Sequence, residues 1–381
     1  MALDNETFKL MKDSVTRFVR DRLVPAEDIV EQTNEVPEDI IQEMRELGLF
    51  GLSIPEEYGG LGLSMAQECE VIHELCKAAL AFRSVIGTTV GIGSQGLVMT
   101  GTEEQKRQYL PRLASGEIIS SFCLTEPEAG SDAASLRTVA IRDGDDYVLN
   151  GTKRFITNAL RAGMLTVMAR TDPNKKGASG ISAFLVDPKT PGVTIAKADE
   201  KMGQRGTKTS DIIFEDARIP ASALLGGVEG QGFYTAMKVL DRGRLHLSSV
   251  STGISERILE EAVAYASERK QFGTRIGDFQ LVQAMLADSQ AELYAGLAMT
   301  MDAAKKYDNK EEIAMLAACC KMFTTEAAGR IADRAVQIHG GSGYMAEYKV
   351  ERFYRDVRLL RLYEGTTQIQ QLVIARNMLK S

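Results

Sequence analysis

Cysteine is scarce in this chain of 381 residues, and none of its five cysteines falls in a CxxC spacing. An odd number without paired spacing predicts neither a disulfide framework nor a metal site of the zinc type, and it favours a reducing compartment. Positively charged residues are outnumbered by negatively charged ones: the chain has 45 lysines and arginines and 52 aspartates and glutamates. With a net charge of −7, we expect no nucleic-acid partner unless one face is locally basic.

No segment combines the length and the apolar composition of a membrane span. The longest uncharged run, residues 84–102, is rich in Gly, Ser, Thr and Gln, so membrane insertion is not expected. The polar, acidic start of the chain lacks the basic and apolar regions of a signal peptide. The composition is that of a globular protein, with 44% hydrophobic and 25% charged residues. These features favour a bacterial cytoplasmic protein.

Proline is missing after Pro220, the last of nine. A tail without proline that is rich in Ala, Leu, Met, Glu, Lys and Arg predicts four or more long helices from Gln231 onward. Glycine-containing segments at 273–278, 339–343 and 363–365 predict the breaks between them. Near the N-terminus, apolar spacing predicts a helix over 8–19, followed by Pro25, and a second helix that begins at Pro37.

From about residue 119 the sequence pattern changes to short apolar runs that turn residues separate. These runs lie at 165–168, 181–186, 193–195 and 212–214. Asn150-Gly151 lies between two further apolar runs and predicts a tight hairpin turn. The fold class is therefore α+β. We divide the chain into an N-terminal helical domain (1–119), a central β domain (120–224) and a C-terminal helical bundle (225–381).

Several glycine-containing motifs have two interpretations each. The GxGxxG match at 91–96 lacks a βαβ unit, so helix packing is a better interpretation than dinucleotide binding. The loop at 125–132 follows an apolar strand and is either a surface turn or a set of N–H groups for a ring or phosphate. Arg269 ends a helix, where it suits the helix dipole or binds a phosphate. The glycines after His339 either cap a helix or let a ligand approach bare backbone, and we take His339 itself as structural.

The segment 363–370 is the most informative. Thr367 and Gln370 have the spacing of a capping box, so Glu364 is predicted in the break before the last helix. A carboxylate desolvated there would have a raised pKa and could act as a base. The alternative is an exposed acid that the helix dipole stabilises.

Together and in this order, the motifs resemble the acyl-CoA dehydrogenase family. The resemblance extends over nearly the whole chain, from the segments 46–51 and 54–60 to the last helix. It implies the acyl-CoA dehydrogenase-like fold: an N-terminal α-helical domain, a central β-barrel-like domain and a C-terminal four-helix bundle. It also implies FAD as cofactor, an acyl-CoA substrate that is oxidised to trans-2-enoyl-CoA, electron-transferring flavoprotein as electron acceptor, and a homotetramer built from two dimers.

The resemblance also implies the site residues. Those for FAD are Phe122, Leu124, Thr125, Ser131, Phe155, Ile156, Thr157, Arg269, Phe272, Gln280, Gln337, Gly340, Gly341, Thr366 and Gln368. Of these, Gln337, Gly340 and Gly341 would be added across the dimer. Those for the substrate are Arg83, Ser131, Asp241, Arg244, Tyr363, Glu364 and Gly365. Many relatives carry Trp at the position of Phe155, and this chain has no Trp at all; either aromatic ring can stack on a flavin.

Glu364 resembles the catalytic base of the family. Some relatives carry the base at the position of Gly243 instead, and glycine cannot serve. By resemblance, Glu364 removes the α-proton while its backbone N–H and a ribityl hydroxyl bind the thioester carbonyl, and the β-hydride passes to flavin N5.

Arg83 lies in a segment that resembles the part of glutaryl-CoA dehydrogenase where an arginine binds the distal carboxylate. It would then anchor a carboxylated acyl chain; otherwise it is a solvated or helix-capping arginine. For the chain as a whole, three competing hypotheses are an oxidase or desulfinase on the same scaffold, a DNA-associated flavoprotein, and an FAD-loaded protein without catalysis. The oxidase hypothesis is disfavoured because family oxidases are usually longer. The acidic charge of the chain argues against a DNA-associated role, and the presence of Glu364 argues against a protein without catalysis.

Overall fold

The computed structural model of the protein describes residues 3–175 and 177–380. Helices form the N-terminal part of the chain. They are α1 (Asn5–Phe18), α2 (Val24–Thr33), α3 (Glu38–Glu46), α4 (Met65–Leu75), α5 (Leu80–Gly87), α6 (Gln95–Thr100) and α7 (Glu103–Ala114). The predicted helix that begins at Pro37 is confirmed, since Pro37 is the N-cap of α3.

Pro25 does not stop the first helix. A π-helical turn, Val19–Leu23, connects α1 to α2 without a break, and the proline sits in the first turn of α2. A proline lacks an N–H and its ring crowds the carbonyl four residues earlier, and the wider π-helical turn directly before Pro25 is where the backbone accommodates it.

The segment with the GxGxxG pattern is helical. A second π-helical turn, Thr88–Gly93, leads toward α6. A Cβ at Gly93 would lie 2.1 Å from Oγ of Ser120, so the glycine allows a helix to pack directly against a strand. The helix-packing interpretation is confirmed.

The central part of the chain is a curled, mixed sheet. Its strands are β1 (Ile119–Cys123), β2 (Val139–Asp143), β3 (Asp146–Thr157), β4 (Ala162–Arg170), β5 (Ile181–Val186), β6 (Val193–Ile195) and β7 (Thr209–Pro220). The order is β1-β4-β2-β3-β7-β6, and β5 pairs with β4. β1 and β4 are parallel, whereas β4 and β5 are antiparallel. Tyr147 and Phe184 meet edge to face in the core of the sheet, with ring centroids 4.9 Å apart.

The hairpin turn predicted at Asn150-Gly151 is wrong. Both residues lie inside β3, and the turn between β2 and β3 falls at Gly144 instead. The register of β3 against β7 shifts between Leu149 and Gly151, and Gly151 has a φ of +146°. The pair therefore marks a β-bulge, which asks for the same permissive residues as a turn.

Long helices form the C-terminal part, as predicted. They are α8 (Gly232–Glu268), α9 (Gln280–Asp308), α10 (Ala314–His339), α11 (Lys349–Val357) and α12 (Thr367–Met378), with a short hairpin of β8 (Lys270–Gln271) and β9 (Thr274–Arg275) between α8 and α9. α8, α9 and α10 pack on one another, and α12 packs on α10. Within the two described ranges, no helix has the length and apolar character needed to cross a bilayer.

The long helix α8 connects the sheet to the bundle. Its first residue, Gly232, lies directly on β5, where a Cβ would meet the backbone of Ser182 at 2.2 Å. Further along, α8 packs against α4, α9 and α10. One helix therefore contributes side chains both over the edge of the sheet and inside the bundle.

Candidate functional site

A cavity of about 740 Å³ lies where the sheet, α5, α8 and the segment before α12 meet. That volume is in the range of small-molecule and cofactor sites. The structure brings twelve of the predicted site residues to its wall. They are Arg83, Phe122, Leu124, Thr125, Ser131, Phe155, Ile156, Thr157, Arg244, Tyr363, Glu364 and Gly365.

The other predicted site residues lie outside this wall. Arg269, Phe272 and Gln280 surround the connection between α8 and α9, and Gln337, Gly340 and Gly341 lie at the end of α10. All six are exposed, and Phe272 reaches 95%. Thr366 and Gln368 lie at the start of α12. Asp241 accepts a hydrogen bond from Nη1 of Arg244 at 2.6 Å.

A buried ion pair holds the loop that follows β1. Lys153, which is fully buried, donates to Oε1 of Glu126 at 2.7 Å and to the carbonyl of Leu124 at 3.2 Å. Glu126 also accepts from the backbone N–H groups of Arg137 and Thr138. Because both charges are paired and hydrogen-bonded, the loop keeps a defined shape at the cavity wall.

The carboxylate of Glu364 lies at the cavity wall with one oxygen enclosed by protein. Its Oε2 is buried and has no hydrogen-bond partner among the described residues. Burial raises the pKa of Glu364, against the opposing effect of the positive charges of Arg83, Lys321 and Arg244. The prediction of an acid in the break before the last helix is confirmed, and the alternative of an exposed acid is wrong.

The capping box predicted from Thr367 and Gln370 is wrong by one residue. The N-cap is Thr366, whose Oγ1 accepts from the N–H of Ile369 at 3.3 Å. Thr367 donates to Oε1 of Glu326 at 2.6 Å, so its hydroxyl is engaged by α10. The side chain of Gln370 donates to the carbonyls of Glu364 and Gly365 and caps no N–H group.

Arg83 belongs to a buried chain of polar side chains. Its Nε donates to Nε2 of His246 at 3.0 Å, and Nδ1 of His246 lies 2.7 Å from Oε1 of Glu68. Arg242 pairs with the other oxygen of Glu68. Burial lowers the pKa of His246 to about 4, so the imidazole is neutral, donates to Glu68 and accepts from Arg83. Arg83 is therefore neither solvated nor a helix cap.

Some cavity residues were missed by the sequence analysis. Phe233, Met237 and Leu240 line the wall together with Arg244. Their spacing along α8 is that of one helical face, and it could have identified them. Lys201, Gln204 and Thr207 also line the cavity, but they come from a loop without a local pattern.

Three family models match almost the full chain. The acyl-CoA dehydrogenase N-terminal domain matches residues 5–117, the middle domain 121–217 and the C-terminal domain 230–379. These ranges correspond to the N-terminal helices, the sheet and the C-terminal helices.

Named relatives are similar over almost their full length. A probable acyl-CoA dehydrogenase, YngJ of Bacillus subtilis, is 43% identical over 98% of both chains. The CarC subunit of the caffeyl-CoA reductase-Etf complex of Acetobacterium woodii is 43% identical over 93% of both chains.

Solved structures have the same fold. Butyryl-CoA dehydrogenase from Megasphaera elsdenii has a TM-score of 0.94 at 34% identity, covering 100% of this chain and 99% of that one. A prolyl acyl carrier protein oxidase, AnaB, has a TM-score of 0.94 at 31% identity, covering 99% and 100%. This oxidase matches the length of the present chain, so chain length alone does not separate an oxidase from a dehydrogenase here.

The cavity fits the isoalloxazine part of FAD. The guanidinium of Arg154 lies over one face of the Phe155 ring at 4.7 Å from the centroid, and Phe155 remains 57% exposed at the wall, which leaves ring surface for stacking. Thr125, Ser131 and Thr157 offer hydroxyls along the same wall. A glutaryl-CoA dehydrogenase from Mycobacterium smegmatis was solved with FADH2; its TM-score is 0.92 at 31% identity, covering 100% of this chain and 96% of that one. FAD is the cofactor, and with three matching domains, full-length relatives and the shared fold, this chain belongs to the acyl-CoA dehydrogenase family.

Proposed function

We propose that this protein catalyses the α,β-dehydrogenation of an acyl-CoA thioester to trans-2-enoyl-CoA, with Glu364 as the base. One observation supports the assignment of Glu364 most strongly. Its carboxylate is at the cavity wall, and its buried Oε2 has no protein partner among the described residues. Because no described residue donates a hydrogen bond to this carboxylate, it is not engaged elsewhere in the fold, and the raised pKa of the group strengthens it as a base for a substrate in the cavity.

Several groups of the chain have separate roles in the proposed reaction. The carboxylate of Glu364 takes up the α-proton, and the cations of Arg83, Lys321 and Arg244 partly offset the rise in its pKa that burial causes. The backbone N–H of Glu364 donates to the thioester carbonyl, which lowers the energy of the developing enolate. Phe155, Thr125, Ser131 and Thr157 hold the flavin ring. FAD would supply the two-electron acceptor for the hydride that leaves Cβ, while the α-proton stays on Glu364 until it is released; acyl-CoA and oxidised flavin then give enoyl-CoA, reduced flavin and that proton.

The same residues also serve the reverse direction. A protonated Glu364 would return its proton to Cα of an enoyl-CoA if reduced flavin supplied the hydride. The relative from Acetobacterium woodii is named as a reductase in a complex with Etf. We infer an electron-transferring flavoprotein as the redox partner here, and the direction then follows from the potentials of the two couples.

The exposed residues at the ends of α8 and α10 support a second protomer beside the site, as in the dimers of the homotetramer that the family resemblance implies. Arg269, Phe272 and Gln280 lie outside the cavity, as do Gln337, Gly340 and Gly341. A second protomer would add Gln337, Gly340 and Gly341 to the FAD contacts of Arg269, Phe272 and Gln280, and Phe272, which is 95% exposed, would then be covered.

A carboxylated acyl-CoA is a second candidate substrate, because Arg83 lines the cavity. Among the described residues, only its Nε makes a hydrogen bond, to His246. The two terminal NH2 groups of the guanidinium therefore remain for a carboxylate, which arginine binds with paired donors.

An anaerobic titration of the purified holoenzyme with a panel of acyl-CoAs tests the proposal. Flavin absorbance should bleach with one class of substrate, and Glu364→Gln should retain FAD but lose the bleaching. Glu347→Gln, at an exposed acid, is the matched control and should bleach like the wild type. Flavin that no acyl-CoA reduces would contradict the proposal. Rapid reoxidation of the reduced flavin by O2 would indicate that the protein is an oxidase and not a dehydrogenase.

A further inference from the structure

We propose that Lys321 is a positioning residue for Glu364: its ammonium holds the carbonyl that follows the base and places a positive charge behind it. This inference rests on the proposed role of Glu364. It adds a residue of the bundle interior, on α10, that contributes nothing to the cavity wall.

The backbone that carries Glu364 is strained. Glu364 has a φ of +55° and Gly365 a φ of +88°, so two successive residues lie in the left-handed region. A non-glycine residue stays there only when its surroundings impose the conformation. The segment lies between the short helical turn Arg358–Arg361 and α12, and no ladder of a helix or strand fixes it.

Two side chains hold this segment by its carbonyl groups. Nζ of Lys321 donates to the carbonyl of Gly365 at 2.7 Å. Nε2 of Gln370 donates to the same carbonyl at 3.0 Å and to that of Glu364 at 3.1 Å. Both side chains are 0% exposed. Since they come from different helices, α10 and α12 together hold the backbone from which the Glu364 side chain extends.

Lys321 is an unusual residue for the interior of a bundle. Within residues 3–175 and 177–380, the bond to Gly365 is the one hydrogen bond of its ammonium, and no carboxylate oxygen lies within ion-pairing distance. A buried ammonium without a close anion is costly. Burial lowers the pKa of Lys321 to about 8, while the charge of Glu364 opposes that shift. The ammonium and the base therefore stabilise each other's charged forms.

The charged groups around Glu364 and Lys321 come from three helices. Glu364 interacts with Arg83 of α5, Arg244 of α8 and Lys321 of α10. Lys321 interacts with Glu364, with Arg244 and with Glu326 of its own helix. Removing the ammonium leaves two of the three cations, so the pKa of Glu364 should rise without reaching that of an isolated buried acid.

Two variants separate the hydrogen bond from the charge. Lys321→Met removes both, whereas Lys321→Gln keeps an N–H donor without a charge. Lys306→Met is the matched control: it removes a lysine on α9 that pairs with Asp302 at the surface. The readouts are FAD content, hydrogen–deuterium exchange of peptides that span residues 359–371, and the rate of flavin reduction by an acyl-CoA from about pH 5.5 to about pH 8, a range that brackets a raised carboxyl pKa.

We expect Lys321→Met to retain FAD, to exchange faster over 359–371 and to reduce flavin roughly tenfold more slowly, since losing a positioned charge near a base has an effect of that order. The pH of half-maximal rate should move upward. Lys321→Gln should recover the slow exchange and part of the rate but keep the raised pH midpoint, which a merely structural lysine would not produce. Lys306→Met should resemble the wild type throughout.

Wild-type exchange and a wild-type pH midpoint in Lys321→Met would overturn the proposal, as would equal effects of Lys306→Met. If Lys321→Met yields no folded holoenzyme, Lys321→Gln decides: a raised midpoint supports the proposal and an unchanged one overturns it. If no acyl-CoA reduces the wild-type flavin, the proposed function fails, and exchange over 359–371 in Lys321→Met alone decides whether Lys321 holds the segment.

Discussion

A Cβ atom at Gly243 would lie 2.6 Å from Oε2 of Glu364. α8 thus brings a residue without a side chain directly against the carboxylate before α12. The same Cβ would also lie 3.1 Å from Cγ2 of Ile92. The added carbon therefore could not shift freely away from the carboxylate. Because Gly243 has no side chain, α8 leaves room for the carboxylate of Glu364 at this point.

Gly243→Ala should displace the Glu364 carboxylate and slow flavin reduction by acyl-CoA about 100-fold, because a shift of roughly 1 Å in a reacting group has that effect. FAD content and circular dichroism should stay unchanged, since alanine suits a helix better than glycine. Stopped-flow absorbance measures the rate. Gly96→Ala is the control, because its Cβ meets Leu225 at an ordinary 3.4 Å. A Gly243→Ala rate equal to that of the wild type would disprove the steric argument.

Lys153→Met should destabilise the protein and release FAD. It leaves the carboxylate of Glu126 buried without its cation, and breaking a buried pair from one side costs about 3–5 kcal/mol. The carbonyl of Leu124, at the cavity wall, also loses a donor. Differential scanning fluorimetry and the FAD remaining after dialysis measure both effects.

Arg137→Met provides the comparison for Lys153→Met, because it breaks an exposed pair with Glu128 on the same loop. Exposed pairs contribute roughly 0–1 kcal/mol, so its melting temperature and FAD content should hardly change. Equal losses in both variants would show that the burial of the Lys153 pair is not what matters.

Arg83→Ala should distinguish between the two candidate substrate classes. If the guanidinium anchors a distal carboxylate, kcat/KM for glutaryl-CoA should fall about 10- to 100-fold more than kcat/KM for butyryl-CoA, since one hydrogen bond to a charged group contributes about 1.5–3 kcal/mol. Steady-state kinetics with an artificial acceptor give the ratio. Equal losses on both substrates would contradict the proposal that Arg83 binds a distal carboxylate. The electrostatic effect of Arg83 on Glu364 would then account for the loss.

His246→Gln should make stability less sensitive to acid. In the folded state burial lowers the pKa of His246 from its ordinary value of 6.5 to about 4. The unfolded chain therefore binds an extra proton as the pH falls from 6.5 to about 4, and the folded state loses stability over that window. The melting temperature of the wild type should fall more steeply over the same window than that of His246→Gln. Parallel curves would mean that the pKa of the imidazole is the same in the folded and unfolded protein.

Much of the fold was predictable from local chemistry. The strands at 181–186 and 193–195 coincide with apolar runs, and the proline-free tail contains the long helices. Signals with two physical meanings were assigned wrongly. Asn150-Gly151 marks a bulge because bulges and turns ask for the same backbone freedom, and Pro25 lies in the first turn of α2 because the π-helical turn before it lets the helix continue past the proline.

The sequence by itself determined the order of helices, strands and breaks, because these depend on the periodicity of apolar residues and on where proline and glycine occur. It also placed Glu364 in a break before the last helix. Only the tertiary structure decided that this carboxylate is desolvated beside Gly243, that a neutral His246 orients Arg83, and that Lys321 holds the next carbonyl. Burial and electrostatic interaction depend on residues far apart in the chain, and no local pattern carries that information.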